Sequence, residues 1–485
     1  MPISRASDFP LRRGPIFARA LLVLPILFGV PRQEPIQWEP ATLRSLSGDT
    51  LAADTGRVEV PESRTGRSNA KIRLAVMRVR STAARPGAPV IYLAGGPGNS
   101  GFNGARGEIF PVIKALRERG DVIIYDQRGT GSTLPSLVIR APLGAPLDEP
   151  LMSDRSRAAM LSAARAAAAD IKSRGVDLPS YNTVENADDL DALRAALGAE
   201  KIVVWGHSYG SHLAFAYARR HGAHIERLIV GGINGLDQRR RLPHDGDVFL
   251  ARVDSAVRQS PAMSAAIPDF LGAVKRVFAK LDASPVTVRV DSTDVRLGRE
   301  EVQILIALAG GEQGFVRALP ALIAELDAGR YETVAKQVRD IVKRRPMGTA
   351  MTFSMDMASG VSRERAARIT QEARTAILGN MINVPFDDPE YAAAWGVVVL
   401  PDSYRAPLVS DLPTLFISGS LDLRTSITDA EDVRRGFKNS GHVIVDGASH
   451  VPYAISAELR VEIVRFVAGA APQNKHVSVP VEWRR

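Results

Sequence analysis

Apolar and polar positions along this chain follow two rhythms. In the first, short β-branched runs end in glycine-rich turns. IRLAVMRVR (residues 72–80) alternates, which predicts a strand with one buried face. PVIYL (89–93), DVIIY (121–125) and IVVW (202–205) are continuously apolar, as strands covered on both faces are. Arg57 to Val60 and Arg227 to Val230 read as further strands. Between these runs, Ile109 to Arg119, NADDLDALRAAL (186–197) and Ser211 to Arg220 carry apolar residues at helical spacing. Strand, helix, strand with buried runs predicts an α/β fold with a mostly parallel central sheet.

The second rhythm begins near Gly235 and is almost wholly helical. Pro268–Leu281, Arg299–Leu308, Phe315–Leu326, Thr333–Lys343 and Ser362–Leu378 read as helices, with Pro268 at the first position of its own. A hairpin-like piece, Thr287 to Val295, interrupts them. Parallel-strand runs resume at TLFI (414–417) and HVIV (442–445), and a last helix covers Ser456 to Phe466. The expected organisation is a leader over 1–32, a sheet core over 40–234 and 407–469, a helical cap inserted over 235–406, and a loosely structured tail from 470 to 485.

Composition changes this picture in three places. The 485 residues contain no cysteine, which removes disulfides, thiolate metal sites, a cysteine nucleophile and a lipid-modified cysteine. The net charge of +9 rests largely on terminal arginines and the triplet Arg239-Arg240-Arg241, not on a continuous face, so no nucleic-acid partner is expected. An arginine-bearing stretch precedes the apolar run Ala20 to Val30. That order suits an export signal, and the run is short for a membrane span. A periplasmic or secreted protein is expected, with membrane attachment if the leader is retained.

Candidate chemistry sits at the strand ends. GHSYG (206–210) fits G-x-S-x-G between a strand and a helix, a turn that lifts the Ser208 hydroxyl clear of the sheet. A serine hydroxyl needs a base to take its proton, and the base needs a carboxylate to orient it. On such a turn the partners follow in the order serine, acid, histidine. Asp422 follows TLFI and His450 follows HVIV, so both lie on loops past strand ends, in that order. The Tyr209 N–H would be one donor to the oxyanion of acyl transfer, and the loop Gly95-Gly96-Pro97-Gly98 stands where the other belongs. His442, inside its strand, and His207, at the variable position of the motif, read as structural. Such a site needs neither metal nor organic cofactor.

GGPG after one strand, DQRGTGS after the next, Tyr181-x-Thr183, GHSYGSHLA and DLPTLFISGSLDLRTS together resemble the tripeptidyl aminopeptidase branch of the prolyl iminopeptidase-like α/β-hydrolases. The resemblance runs from about Arg57 to Val467. It implies an exopeptidase that cleaves peptide bonds at a free N-terminus through a serine acyl-enzyme. It also implies Ser208, Asp422 and His450 as the triad, with Gly96 and Tyr209 as oxyanion donors. Such an enzyme must hold the substrate's ammonium group, and a carboxylate is the natural counter-charge. Where relatives carry an acidic pair in the cap, this chain reads SMDMASG, which nominates Asp356; Glu312, in AGGEQGF, is the second candidate. Without such a carboxylate the same triad would serve as a carboxylesterase or an amide or lactone hydrolase. A non-catalytic binding protein on this fold is the reading from another class, and the complete set of reactive groups argues against it.

Overall fold

The computed structural model describes residues 35–344 and 346–484. Strands run in chain order as β1 (Glu39–Arg44), β2 (Thr50–Pro61), β3 (Lys71–Val79), β4 (Val90–Leu93), β5 (Val122–Tyr125), β6 (Val138–Pro142), β7 (Ile202–His207), β8 (Ile225–Gly231), β9 (Val286–Val290), β10 (Thr293–Leu297), β11 (Pro346–Thr349), β12 (Thr414–Gly419), β13 (Ser440–Asp446) and β14 (Lys475–Ser478). Ten of them form one sheet in the order β1-β2-β3-β5-β4-β7-β8-β12-β13-β14. β1 to β3 are an antiparallel meander and β3 meets β5 antiparallel; from β5 to β14 every pairing is parallel.

The continuously apolar runs are explained by this arrangement. Alternate residues of each central strand enter different cores: Ile91, Leu93, Ile123, Tyr125, Ile202 and Val204 on one face, Val90, Tyr92, Val122, Ile124, Val203 and Trp205 on the other. The first core continues without a break into the helical insert, through residues such as Phe270, Val302, Met351 and Trp395. β6 and β11 tie the insert down as an antiparallel pair, and the Ala350 N–H donates to the Leu137 carbonyl at 2.9 Å just beyond it.

Several local expectations change. The helix predicted to start at Pro268 runs Phe270–Ala283, because the Asp269 carboxylate accepts the Gly272 N–H and caps it two residues later. The segment 333–343 is an α-helix over Glu332–Gln337 that continues as a π-helical turn over Val338–Lys343. The segment 362–378 is helical only over Arg363–Glu372, with Ser362 as its cap. The tail is not loose throughout: β14 adds a parallel edge strand beside β13 and buries Val477. The leader lies outside the described residues, and among those described no helix is long and apolar enough to cross a membrane.

Candidate active site

Ser208 joins β7 to the helix Tyr209–His221 at φ 57°, ψ −124°, one of two positive-φ residues other than glycine among those described. An L-residue holds that conformation only when its surroundings over-determine it. Here the Ser208 N–H donates to the Gly231 carbonyl at 2.8 Å, and its carbonyl accepts from the Ser211 N–H at 2.8 Å and hydroxyl at 2.6 Å. The flanking glycines are steric necessities. A side chain on Gly206 would collide with the Gly210 carbonyl, and one on Gly210 with the Leu93 carbonyl at the end of β4.

Asp422 and His450 come together from the loops after β12 and β13. His450 Nδ1 lies 2.7 Å from Asp422 Oδ2, with both side chains buried. Asp422 also accepts from the Arg424 N–H at 2.7 Å, the Thr425 N–H at 3.3 Å and the Thr425 hydroxyl at 2.5 Å. Burial pushes its pKa up, but the His450 charge and these hydrogen bonds outweigh it, and the carboxyl is held below the usual range. With Nδ1 on the carboxylate, His450 Nε2 is left buried with no hydrogen bond to any of the described residues. Such a nitrogen is equipped to accept a proton from a neighbouring hydroxyl.

His207 supports this pair from below. Its ring lies 4.8 Å from that of His450, and its Nδ1 is 3.1 Å from the Tyr453 hydroxyl. Burial, then the His450 charge, holds its pKa well below the ordinary value, so it stays neutral. His442 is structural too, between Glu431 and the Ser418 hydroxyl. Ser426 caps the helix Ile427–Arg434 that follows Asp422, and Asp429 within it pairs with Arg365 at 2.6 Å.

The glycine loop after β4 reaches Ser208. A Cβ on Gly95 would lie 2.8 Å from that of Ser208, and Gly96 sits at φ +109°. Asp126 of the DQRG segment secures this loop by accepting from the Ser100 hydroxyl at 2.7 Å and the Phe102 N–H at 3.3 Å. Gln127 donates to the Ala94 carbonyl at 2.9 Å. Arg128, fully buried, bonds both carboxylate oxygens of Asp189 at 2.8 Å. The two motifs are thus one interlocked structure. Tyr209 opens its helix, where an N–H has no intrahelical acceptor.

The two nominated amine anchors fare differently. Asp356 is buried and already accepts from both Arg239 and Arg240, so its charge is not free for an ammonium group. The expectation from SMDMASG does not include these partners: Arg239 and Arg240 of the triplet turn inward onto Asp356. Glu312 is exposed and pairs with Arg424 at 2.7 Å. Its neighbour Gly311 accepts the His450 N–H at 3.3 Å, which sets Glu312 beside the His450 loop.

Three contributors escape sequence reasoning. Gly232, at φ +55°, leaves room for His450: a Cβ there would lie 2.7 Å from His450 Cε1. Gln313 brackets the His450 loop, accepting the Ser449 N–H at 2.8 Å and donating to the Gly447 carbonyl at 3.3 Å. Thr425 holds Asp422. Of these, only Gly232 left a trace, as a glycine pair just past a predicted strand.

A family model for the alpha/beta hydrolase fold matches residues 88–456. Among curated relatives, a serine protease from Mycobacterium tuberculosis, Hip1, is 30% identical over 217 residues, covering 41% of this chain and 39% of that protein. A tripeptidyl aminopeptidase from Streptomyces coelicolor is 34% identical over 190 residues, covering 37% of this chain and 34% of that protein. The matches therefore span well under half of those relatives' length. A solved proline iminopeptidase from Mycobacterium smegmatis aligns over 85% of this chain and 97% of its own at 16% identity, with a TM-score of 0.40. With the family model matching most of its length, and the strained turn, the strand-end loops and the parallel sheet all present, this chain belongs to the α/β-hydrolase fold family.

Proposed function

We propose that this protein is a serine hydrolase that cleaves peptide bonds at a free N-terminus through an acyl-enzyme. The observation that carries the reading is the strained Ser208 together with the buried Asp422–His450 pair, whose Nε2 has no other partner among the described residues. Ser208 Oγ attacks the carbonyl carbon while His450 Nε2 takes its proton. Asp422 orients the ring and stabilises the imidazolium, without itself becoming protonated. The Tyr209 and Gly96 N–H groups receive the oxyanion. His450 then returns the proton to the leaving amine, and water repeats the sequence on the acyl-enzyme. Similarity to proteins named serine protease and tripeptidyl aminopeptidase supports peptides as substrates.

Glu312 is the candidate for the substrate ammonium, since it stands beside the His450 loop and Asp356 is already engaged. The same observation favours a second reading. Glu312 is itself paired with Arg424, and if neither carboxylate takes an amine, the triad serves a carboxylesterase or an amide or lactone hydrolase. Export is proposed from the basic-then-apolar leader, and sequencing the mature N-terminus tests it.

The deciding experiment compares tripeptidyl and amino-acyl p-nitroanilides, with free and acetylated N-termini, using the wild type and Ser208→Ala. Preference for the free amine, abolished in the variant, supports the aminopeptidase. Equal rates on blocked substrates, or activity on p-nitrophenyl esters alone, overturn it in favour of the second reading.

A further inference from the structure

The loop that leaves β8 passes the triad before it enters the helical insert. It starts at Gly232 against His450, and at Gly235 its carbonyl accepts from His212 Nδ1 at 2.8 Å. It then delivers Arg239, Arg240 and Arg241. Arg239 and Arg240 both donate to Asp356. The Arg239 guanidinium lies 5.6 Å from the ring centre of Tyr209, the residue after the nucleophile, and its Nε is buried without a partner.

Arg241 is different, because it pairs with no carboxylate among the described residues. Its side chain donates to the Ala307 carbonyl at 3.2 Å, and its main-chain N–H to Asn383 Oδ1 at 2.8 Å. Arg424, two residues past Asp422, donates to the next carbonyl, Leu308, at 3.0 Å. Two guanidiniums therefore meet at the C-terminal end of the helix Arg299–Ala309, where the helix dipole offers partial compensation. Four guanidiniums gather here, of Arg239, Arg240, Arg241 and Arg424. They face Asp356, Glu312, Asp387 beside Arg240, and an Asp422 already engaged by His450, Thr425 and the Arg424 amide. Arg239 and Arg240 share one carboxylate, and Arg241 bonds none among the described residues. Burial, then the charges of Arg424 and Arg239, push the Arg241 pKa down to about 10. Buried charges are ordinarily paired, and an under-compensated guanidinium beside a catalytic loop is a receptor for an anion.

We infer that Arg241, with Arg424 and Arg239 beside it, binds a substrate carboxylate in the seam between the helical insert and the catalytic loops. The inference rests on the reading that the site takes peptides. The carboxylate is then either the free C-terminus of a short peptide or an acidic side chain. Guanidinium binds both through the same paired N–H donors.

The test measures binding by calorimetry in the full chain carrying Ser208→Ala, so that no ligand is consumed. The ligands are Ala-Ala-Ala and its C-terminal amide, then the amides of Ala-Ala-Glu and Ala-Ala-Gln. A charge-assisted hydrogen bond predicts about ten- to hundredfold tighter binding of the charged member of a pair. A preference in the first pair identifies the C-terminus as the source, and in the second the side chain. Arg241→Gln in the same background should abolish the preference. Should that variant not fold, Arg241→Lys, which keeps the charge but loses the fork, should reduce it. Equal binding within both pairs, no binding of any peptide, or a preference that survives in a folded Arg241→Gln chain overturns the proposal. Turnover of p-nitroanilides by the wild type tests the aminopeptidase reading separately, so either can fail without the other.

Discussion

His450 and Asp422 hold each other at 2.7 Å, yet each is also fixed from outside the pair. Thr425 and the Arg424 amide grip the carboxylate, and the Gly311 carbonyl takes the His450 N–H. The imidazole is therefore pre-set, and the carboxylate's remaining task is to choose its tautomer. Asp422→Asn should keep the fold while lowering kcat by about 10⁴, the cost of a wrong tautomer in an otherwise intact triad. Turnover of a p-nitroanilide or ester, with circular dichroism as the folding check, measures this. A loss below tenfold would remove Asp422 from the triad.

Gly232 separates strain from chemistry. Gly232→Ala places a methyl 2.7 Å from His450 Cε1 and 3.1 Å from His207 Cε1, at φ +55°. Gly329, at φ +78°, has nothing within 4 Å and serves as control. Both alanine variants should lose about 1 kcal/mol of stability to the backbone alone. Only Gly232→Ala should also lose activity, by about a hundredfold, as displaced catalytic groups do. Equal activity in the two variants would show that the His450 ring does not need this space.

Gln313 is the brace between the helical insert and the triad. It bonds Ser449 and Gly447 on either side of the His450 loop, while the preceding Gly310 carbonyl takes the Leu423 N–H at 3.3 Å. One turn thus touches the loops of both the acid and the base. Gln313→Ala should lower kcat by about ten- to a hundredfold through misplacement of His450, with KM little changed. Gln313→Glu keeps the acceptor for Ser449 but loses the donor to Gly447, so it should fall between. A change confined to KM would assign Gln313 to substrate contact instead.

The legible parts of this molecule are those where one residue type serves one steric or chemical need. Ser208, Asp422 and His450 could be placed on loops or turns past strand ends because each follows an apolar run that can only be a covered strand. Asp154–Ser173 shows the opposite case: a 20-residue helix so rich in alanine that its buried and exposed faces differ little, and periodicity has nothing to register. β14 buries only one of its four residues and is a strand only because β13 offers an edge. Asp356 looked like an anchor for an amine since its arginine partners lie 117 and 116 residues away. Charge neutralisation is a property of three-dimensional neighbours, which residues so far apart in the chain do not announce.

Buried histidines contribute to the acid sensitivity of the fold, His207, His212 and His442 among them. His212 donates from Nδ1 to the Gly235 carbonyl at 2.8 Å, and its Nε2 accepts the Tyr404 hydroxyl at 2.7 Å. Protonating Nε2 would turn that acceptor into a second donor. Burial first, then the Arg239 charge, lowers the His212 pKa to about 3, and His207 is likewise depressed. Unfolded histidine titrates near pH 6.5. Between these values the unfolded chain binds the proton and the folded chain does not, so stability falls as pH falls through that window. Each such histidine contributes up to about 1.4 kcal/mol per pH unit. Urea unfolding at pH 6 and pH 4.5 should therefore show His212→Asn losing about 2 kcal/mol less than the wild type between the two, although it starts less stable at pH 7. Identical losses would mean that His212 carries a proton in the folded protein, and the hydrogen bond from Tyr404 would have to be reassigned.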